Sequence, residues 1–183
     1  FDASYATPLC VPSRAQLLTG RYPFRTGFTD NILARTAGTP FLSAEHRTIA
    51  HELKDRGYST AVAGKWHLCS FEERPEHPRE LGFDESLCWL WMEHDGAAGE
   101  PQWSARYFEP AVIENGAIRR RVAGAFGPTL YADFLLRFIE RNREVPFFAY
   151  YPTVLPHAPW QMTPYELGRV PAVAPPSDVM SFP

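Results

Sequence analysis

No run of about 20 apolar residues occurs in the 183-residue chain, so no segment is long enough to span a bilayer as a helix. Charge of one sign is also missing. The 18 Lys and Arg against 21 Asp and Glu leave a net charge of −3, with no basic footprint for nucleic acid and no polybasic patch for a membrane surface. Cysteine is scarce: Cys10, Cys69 and Cys88 are too few and too scattered for a disulfide scaffold or a zinc site. Their odd number leaves at least one thiol without an internal partner. Internal repeats and low-complexity tracts are absent. Phe1-Asp2-Ala3 has neither Met nor a signal-peptide pattern, and Val173-Ala174-Pro175-Pro176-Ser177 reads as a loop. The expectation is an internal segment of a longer chain, which leaves the compartment open.

What is present is globular. Hydrophobic residues make up 45% and charged residues 21%, close to the ordinary average for a folded domain, and this excludes a disordered tail. The length suits one domain or a large piece of one, able to bury ~70% of its unfolded surface. The 18 prolines are about twice the usual share of ~5%, which implies long, shaped loops around a compact scaffold.

The local signals alternate between helix and strand. Ser13 with Gln16 reads as a capping box, and Gly20 sits where a helix ends, so a short helix is predicted from Ser13. A second helix is predicted from Thr48 to Arg56, stopped by Gly57, followed by a strand over 58–63 that Gly64 ends. This succession is half of a parallel crossover unit. Residues 70–127 read as less regular, with Trp89, Trp91 and Trp103 among Gly, Pro and charges. Asn115-Gly116 between short apolar runs predicts a type I′ hairpin. Leu130, Phe134, Leu135, Phe138 and Ile139 recur at helical spacing and predict a helix over 129–142. Phe147–Tyr151 reads as a short buried strand.

Three places carry chemistry. Cys10 precedes the predicted helix, whose open N–H groups and positive dipole end favour a thiolate or a bound oxyanion. Arg14 adds a permanent charge with a fork suited to tetrahedral oxyanions. Beyond the strand at 58–63, Lys65 and His67 would point the same way in an extended stretch, suiting an anion plus proton transfer. His157, in Pro156-His157-Ala158-Pro159, is a second imidazole past a predicted strand. If both strands share one parallel sheet, these groups meet at one rim, where such sheets bind ligands. Each has a plain alternative as a structural or solvated residue. His46, His51, His77 and His94 show no ligand spacing and read as surface or loop residues. Glu93-His94-Asp95 reads as a turn rather than a metal site, and Arg119-Arg120-Arg121 as a solvated face.

Two of these segments resemble the type I (formylglycine-dependent, arylsulfatase-like) sulfatase family. Cys10-Val11-Pro12-Ser13-Arg14, followed by Leu17-Leu18-Thr19-Gly20-Arg21, is similar to its first signature, C-x-P-S-R with L-x-T-G-R. Gly57–Leu68, ending Gly64-Lys65-Trp66-His67-Leu68, is similar to its second. Gly82-Phe83-Asp84, Pro146-Phe147-Phe148 and Pro156-His157-Ala158-Pro159 follow in the family's order, so the resemblance covers nearly the whole chain.

The resemblance implies an alkaline-phosphatase/sulfatase-like α/β fold, a mixed sheet flanked by helices and incomplete at both ends. Residues 1–183 would be the central part of the catalytic domain. It implies a sulfuric ester hydrolase in which Cys10 is converted by a formylglycine-generating enzyme to formylglycine (3-oxoalanine). The hydrated aldehyde would attack sulfur, pass through a sulfated enzyme and expel sulfate. By position, Arg14 would hold the hydrated aldehyde, and Lys65 would bind aldehyde and sulfate. His67 would take a proton; His157 would contact sulfate and protonate the leaving oxygen. A divalent metal, usually Ca2+, would contact Cys10 as formylglycine, its other ligands lying before Phe1 and beyond Pro183. The substrate would be a small-molecule or saccharide sulfate ester, and the compartment periplasmic, secreted or lysosomal. Two departures stand out: Cys69 replaces the usual glycine after Lys-Trp-His-Leu, and 86–95 offers no match for a serine that supports the site in some members. A phosphonate monoester or phosphodiester hydrolase, or a non-catalytic protein of the same fold, remains the alternative.

Overall fold

The computed structural model describes residues 2–3, 5–31, 40–91, 105–119, 121–157 and 161–168. Among these residues, five strands form one mixed sheet in the order β4-β3-β2-β1-β5. β1 (Ser59–Gly64) is central and pairs in parallel with β2 (Glu85–Trp89) on one side and β5 (Phe147–Tyr150) on the other. β3 (Val112–Glu114) and β4 (Ala117–Arg119) add an antiparallel hairpin to β2. Asn115 (φ 47°) and Gly116 (φ 82°) make its two-residue turn, with both φ values positive as a type I′ turn requires.

β1 is built of small residues, and Thr60 through Gly64 are all buried. α5 (Gly127–Arg141) lies across β1, β2 and β5, seating Tyr131, Phe134, Leu135 and Phe138 in the core while Leu136 faces out. That is one apolar stripe at the 3.6-residue period. α3 (Ile49–Lys54) also packs on β1, and α1 (Cys10–Thr19) packs on α3. The short α2 (Pro23–Thr26) and α4 (His77–Glu80) complete the described helices. At the N-terminal ends of the central strands, the Asp84 carboxylate accepts from the Thr60 amide and hydroxyl and pairs with Lys54 at 2.5 Å. Burial would raise the Asp84 pKa, but Lys54 and Thr60 together lower it. This end of the sheet is therefore fixed structurally, and the carboxyl end is left for chemistry.

Several expectations need correction. The first helix begins at Cys10, not Ser13: the Ser13 amide already donates to the Leu9 carbonyl, closing the first helical turn. The Ser13 hydroxyl donates to the Thr7 carbonyl at 2.7 Å, so no capping box forms. Pro12 fits the first turn because amides there have no intrahelical partner to lose. Gly20 does end the helix in the left-handed region. The second helix is shorter than predicted, Ile49–Lys54, with Thr48 and His51 forming its capping box. His51 is thus a helix residue with a bonded ring, not a loop residue. His77 departs further: it is 0% exposed, in α4. β5 is half-buried rather than buried, being paired only with β1 among the described residues. β2, which read as irregular, is a buried strand beside β1. Trp103, His94 and the Glu93-His94-Asp95 segment lie outside the described residues. Of the arginine run, Arg119 pairs with Glu114 at 2.8 Å and Arg121 with Glu109, consistent with a solvated face; Arg120 is outside the described residues.

Candidate active site

The chain leaves β1 and β5 side by side. The Lys65 amide donates to the Pro152 carbonyl at 2.7 Å, joining the two exits. Gly64 makes this approach possible. Its φ is 122°, and a Cβ there would stand 2.3 Å from the Pro152 oxygen. The parallel pairing of β1 and β5 thus brings the segments carrying Lys65 and His157 to one rim of the sheet.

Lys65 and His67 reach Cys10 by a different route from the extended one expected. His67 takes a left-handed backbone conformation (φ 57°), and this turn directs its Nδ1 to 3.8 Å from the Cys10 Sγ. Lys65 is 5% and His67 3% exposed. Burial lowers the Lys65 pKa, as do the nearby guanidiniums of Arg14 and Arg106, while interaction with Cys10 opposes the shift. The ammonium is thereby held beside position 10 with little water around it.

Cys10 is the first residue of α1, inside the helix start rather than ahead of it. Its thiol donates to Asn31 Oδ1 at 3.2 Å, and the same oxygen accepts from the Val11 amide at 3.3 Å. One turn on, Arg14 donates through Nη1 to the Lys65 carbonyl at 2.6 Å. Its Nε is buried with no hydrogen-bond partner among the described residues. A buried guanidinium donor without an acceptor suits an anionic guest. Burial lowers the Arg14 pKa, but an arginine remains charged at any ordinary pH. The structure therefore gathers Cys10, Arg14, Lys65 and His67 in one place.

His157 follows β5 on the loop that includes the cis Leu155–Pro156 peptide. Its side chain is exposed, and its backbone is fixed from both sides by one phenol. The Tyr107 hydroxyl donates to the His157 carbonyl at 2.6 Å and accepts from its amide at 3.2 Å. Cys69 and Cys88 are buried free thiols whose pKa burial pushes up, which disfavours the nucleophilic thiolate at both.

Three participants were not singled out from sequence. Asn31 holds the Cys10 thiol from a loop, and nothing in its neighbourhood signalled that. Trp91 packs its ring on His67 at 4.2 Å between centroids. Arg106 lies over the Trp89 ring at 4.5 Å and adds to the positive field at Lys65. The cluster of tryptophans in 89–103 was the available signal for the last two.

Comparison with known proteins gives the family. Over 172 residues the chain is 37% identical to the N-acetylgalactosamine-6-sulfatase of Mus musculus, covering 84% of this chain and 32% of that protein. It is 32% identical over 170 residues to the N-acetylglucosamine-6-O-sulfatase of Bacteroides thetaiotaomicron, covering 92% of this chain and 26% of that one. The solved structure of BT4656 in complex with its substrate D-glucosamine-2-N,6-O-disulfate superposes with a TM-score of 0.64 at 29% identity, covering 92% of this chain and 29% of that one. The chain thus spans about a third or less of the length of these relatives. Its mixed sheet and flanking helices are part of the alkaline-phosphatase-like fold that sulfatases share. Residues 1–173 match the family model described as Sulfatase, and the chain belongs to the sulfatase family.

Proposed function

We propose that the protein containing this chain is a sulfuric ester hydrolase, with Cys10 as the residue matured to formylglycine. The observation that carries the reading is the placement of Cys10 in the first turn of α1, 3.8 Å from His67 Nδ1 and beside the buried Lys65 ammonium. The matured residue would supply the hydroxyl that attacks the sulfur of the ester. The chain's own groups divide the rest of the work. Arg14 holds the rim together through the Lys65 carbonyl and offers its buried Nε to an oxygen. Lys65 neutralises sulfate charge in a place where burial strengthens the attraction. His67 accepts a proton at Nδ1, the atom that faces position 10. His157, on its clamped loop, contacts the sulfate and protonates the leaving oxygen.

The family's divalent cation, usually calcium, is a separate matter. Cys10 as formylglycine would be one of its contacts, with the other ligands supplied by the longer protein; among the described residues no group of three or more His, Cys, Asp or Glu could hold a metal ion. The substrate class that fits is a small-molecule or saccharide sulfate ester, in keeping with relatives named as hexosamine-6-sulfatases. A formylglycine-generating enzyme is the maturation partner. The family resemblance points to a periplasmic, secreted or lysosomal setting. No described helix is long and apolar enough to cross a membrane.

The test uses the full-length protein co-expressed with that maturation enzyme. Mass spectrometry of the tryptic peptide carrying Cys10 is expected to show an aldehyde in place of the thiol. Aryl sulfate is expected to be turned over in preference to aryl phosphonate, and Cys10→Ala to abolish turnover because it removes the nucleophile. An intact thiol with no sulfate release would overturn the reading.

A further inference from the structure

His67 stands in the left-handed region, a position that a residue with a side chain occupies only where its surroundings hold it. One neighbour packs directly on its ring. The Trp91 indole lies against the imidazole, with ring centroids 4.2 Å apart and planes tilted by 43°. Trp91 is itself anchored, being 3% exposed and donating from Nε1 to the Cys69 carbonyl at 3.3 Å. A single indole therefore touches the His67 ring and also grips the turn just beyond it. Cys69 stands at the end of the second signature, so this grip falls on the segment that carries both Lys65 and His67.

We propose that Trp91 is a positioning residue: its ring, packed on the imidazole and tied to the Cys69 carbonyl, fixes the direction in which His67 Nδ1 faces position 10. An imidazole turns about χ2 with little intrinsic preference, so a ring packed against its face restricts the orientations open to it. Trp91 sits one residue past Leu90, beyond the end of β2, at the same carboxyl edge of the sheet as Lys65. It need not touch the substrate to act, because its effect passes through His67. The inference rests on His67 serving as the proton acceptor of a sulfatase.

The experiment is a double-mutant cycle on the matured full-length enzyme, read as kcat and KM for an aryl sulfate. Trp91→Met fills the volume without a planar face. It is expected to lower kcat roughly 10- to 10²-fold, the scale of a misplaced catalytic group, with KM little changed. Trp91→Phe keeps a ring against the imidazole and is expected to recover most of that loss. In a His67→Ala background, adding Trp91→Met is expected to change the residual rate by less than about twofold, because the group it positions is gone. Equal losses in both backgrounds would overturn the proposal and leave Trp91 as core packing. Trp91→Leu carries the same expectations and serves if the Met variant does not fold. A wild type that releases no sulfate overturns the sulfatase reading and this inference with it. An active wild type with an unaffected Trp91→Met overturns the inference alone.

Discussion

At the scale of single residues, the site separates charge from proton transfer. Lys65 is buried beside Cys10, whereas His157 is exposed on a loop whose backbone Tyr107 clamps. The two should respond differently to the leaving group. General acid catalysis typically contributes ~10²–10⁴-fold, so His157→Ala is expected to lose about that much with an alkyl or sugar sulfate. With a nitrophenyl sulfate, whose leaving group needs little protonation, the loss should be far smaller. Lys65→Ala should depress both substrates alike, because the sulfate charge is common to them. Steady-state kinetics on the full-length enzyme read this directly. Equal losses for His157→Ala across leaving groups would mean that it only binds sulfate. Lys65 was legible because chemistry-bearing types lie close together in its signature, and His157 because it is an imidazole just past a predicted strand. Asn31 and Trp91 were not, since what matters about each is where a loop puts it. Even for His67 the sequence suggested an extended path, and the left-handed turn at φ 57° does the placing instead.

At the scale of elements, one histidine links three segments. The Trp66 indole donates from Nε1 to His77 Nδ1 at 2.9 Å, and His77 Nε2 bonds the Leu42 carbonyl at 2.9 Å. His77 Nδ1 must therefore be unprotonated, with the hydrogen on Nε2 directed at Leu42. Burial pushes its pKa down from 6.5 to about 4. The sign follows from that direction. Above pH 6.5 the ring is neutral in folded and unfolded chains alike, and the stabilisation is complete. Between 6.5 and about 4 only the unfolded chain takes up the proton, so stability falls as pH falls through this window. The loss is roughly 3 kcal/mol in all. Urea titrations of the full-length protein at pH 7 and pH 4 should show it, and His77→Gln should be less stable at pH 7 with a flatter pH dependence. The same slope in both proteins would remove His77 as its cause. Its motif gave no hint of this, because His77-Pro78 beside Arg79 and Glu80 looks like a polar turn. Elements with strong local signals fared better: the Asn115-Gly116 hairpin, the α5 stripe and β1 are where periodicity and turn chemistry placed them. β2 was missed because Glu85-Ser86-Leu87-Cys88-Trp89 lacks β-branched residues and takes its stability from pairing with β1 and β3.

At the scale of the molecule, the described residues gather positive charge without gathering a cation site. Arg14 and Arg106 both act on Lys65 near Cys10, and no described group of three or more His, Cys, Asp or Glu could hold a metal ion. Positive groups packed so closely repel one another, and an anionic guest relieves that repulsion. Calcium and sulfate should therefore act differently on the 183-residue chain by itself. A ligand that binds only the folded state stabilises it by RT ln(1 + [L]/Kd), ~2.7 kcal/mol at 100 times Kd, and so raises its melting temperature. Millimolar calcium chloride is expected to leave the melting temperature of the isolated chain unchanged, followed by circular dichroism against magnesium chloride at equal ionic strength. The full-length protein under the same conditions should gain several degrees, because the relatives run to about three times this length and the additional chain is where the cation's acidic ligands are expected. A calcium-specific rise in the isolated chain would place a complete cation site within these 183 residues and move the metal back into the chemistry at Cys10. No rise in either protein would make the cation dispensable to the fold. Arg14 and Lys65 would then carry the sulfate charge largely unaided, and the loss on Lys65→Ala should be correspondingly larger.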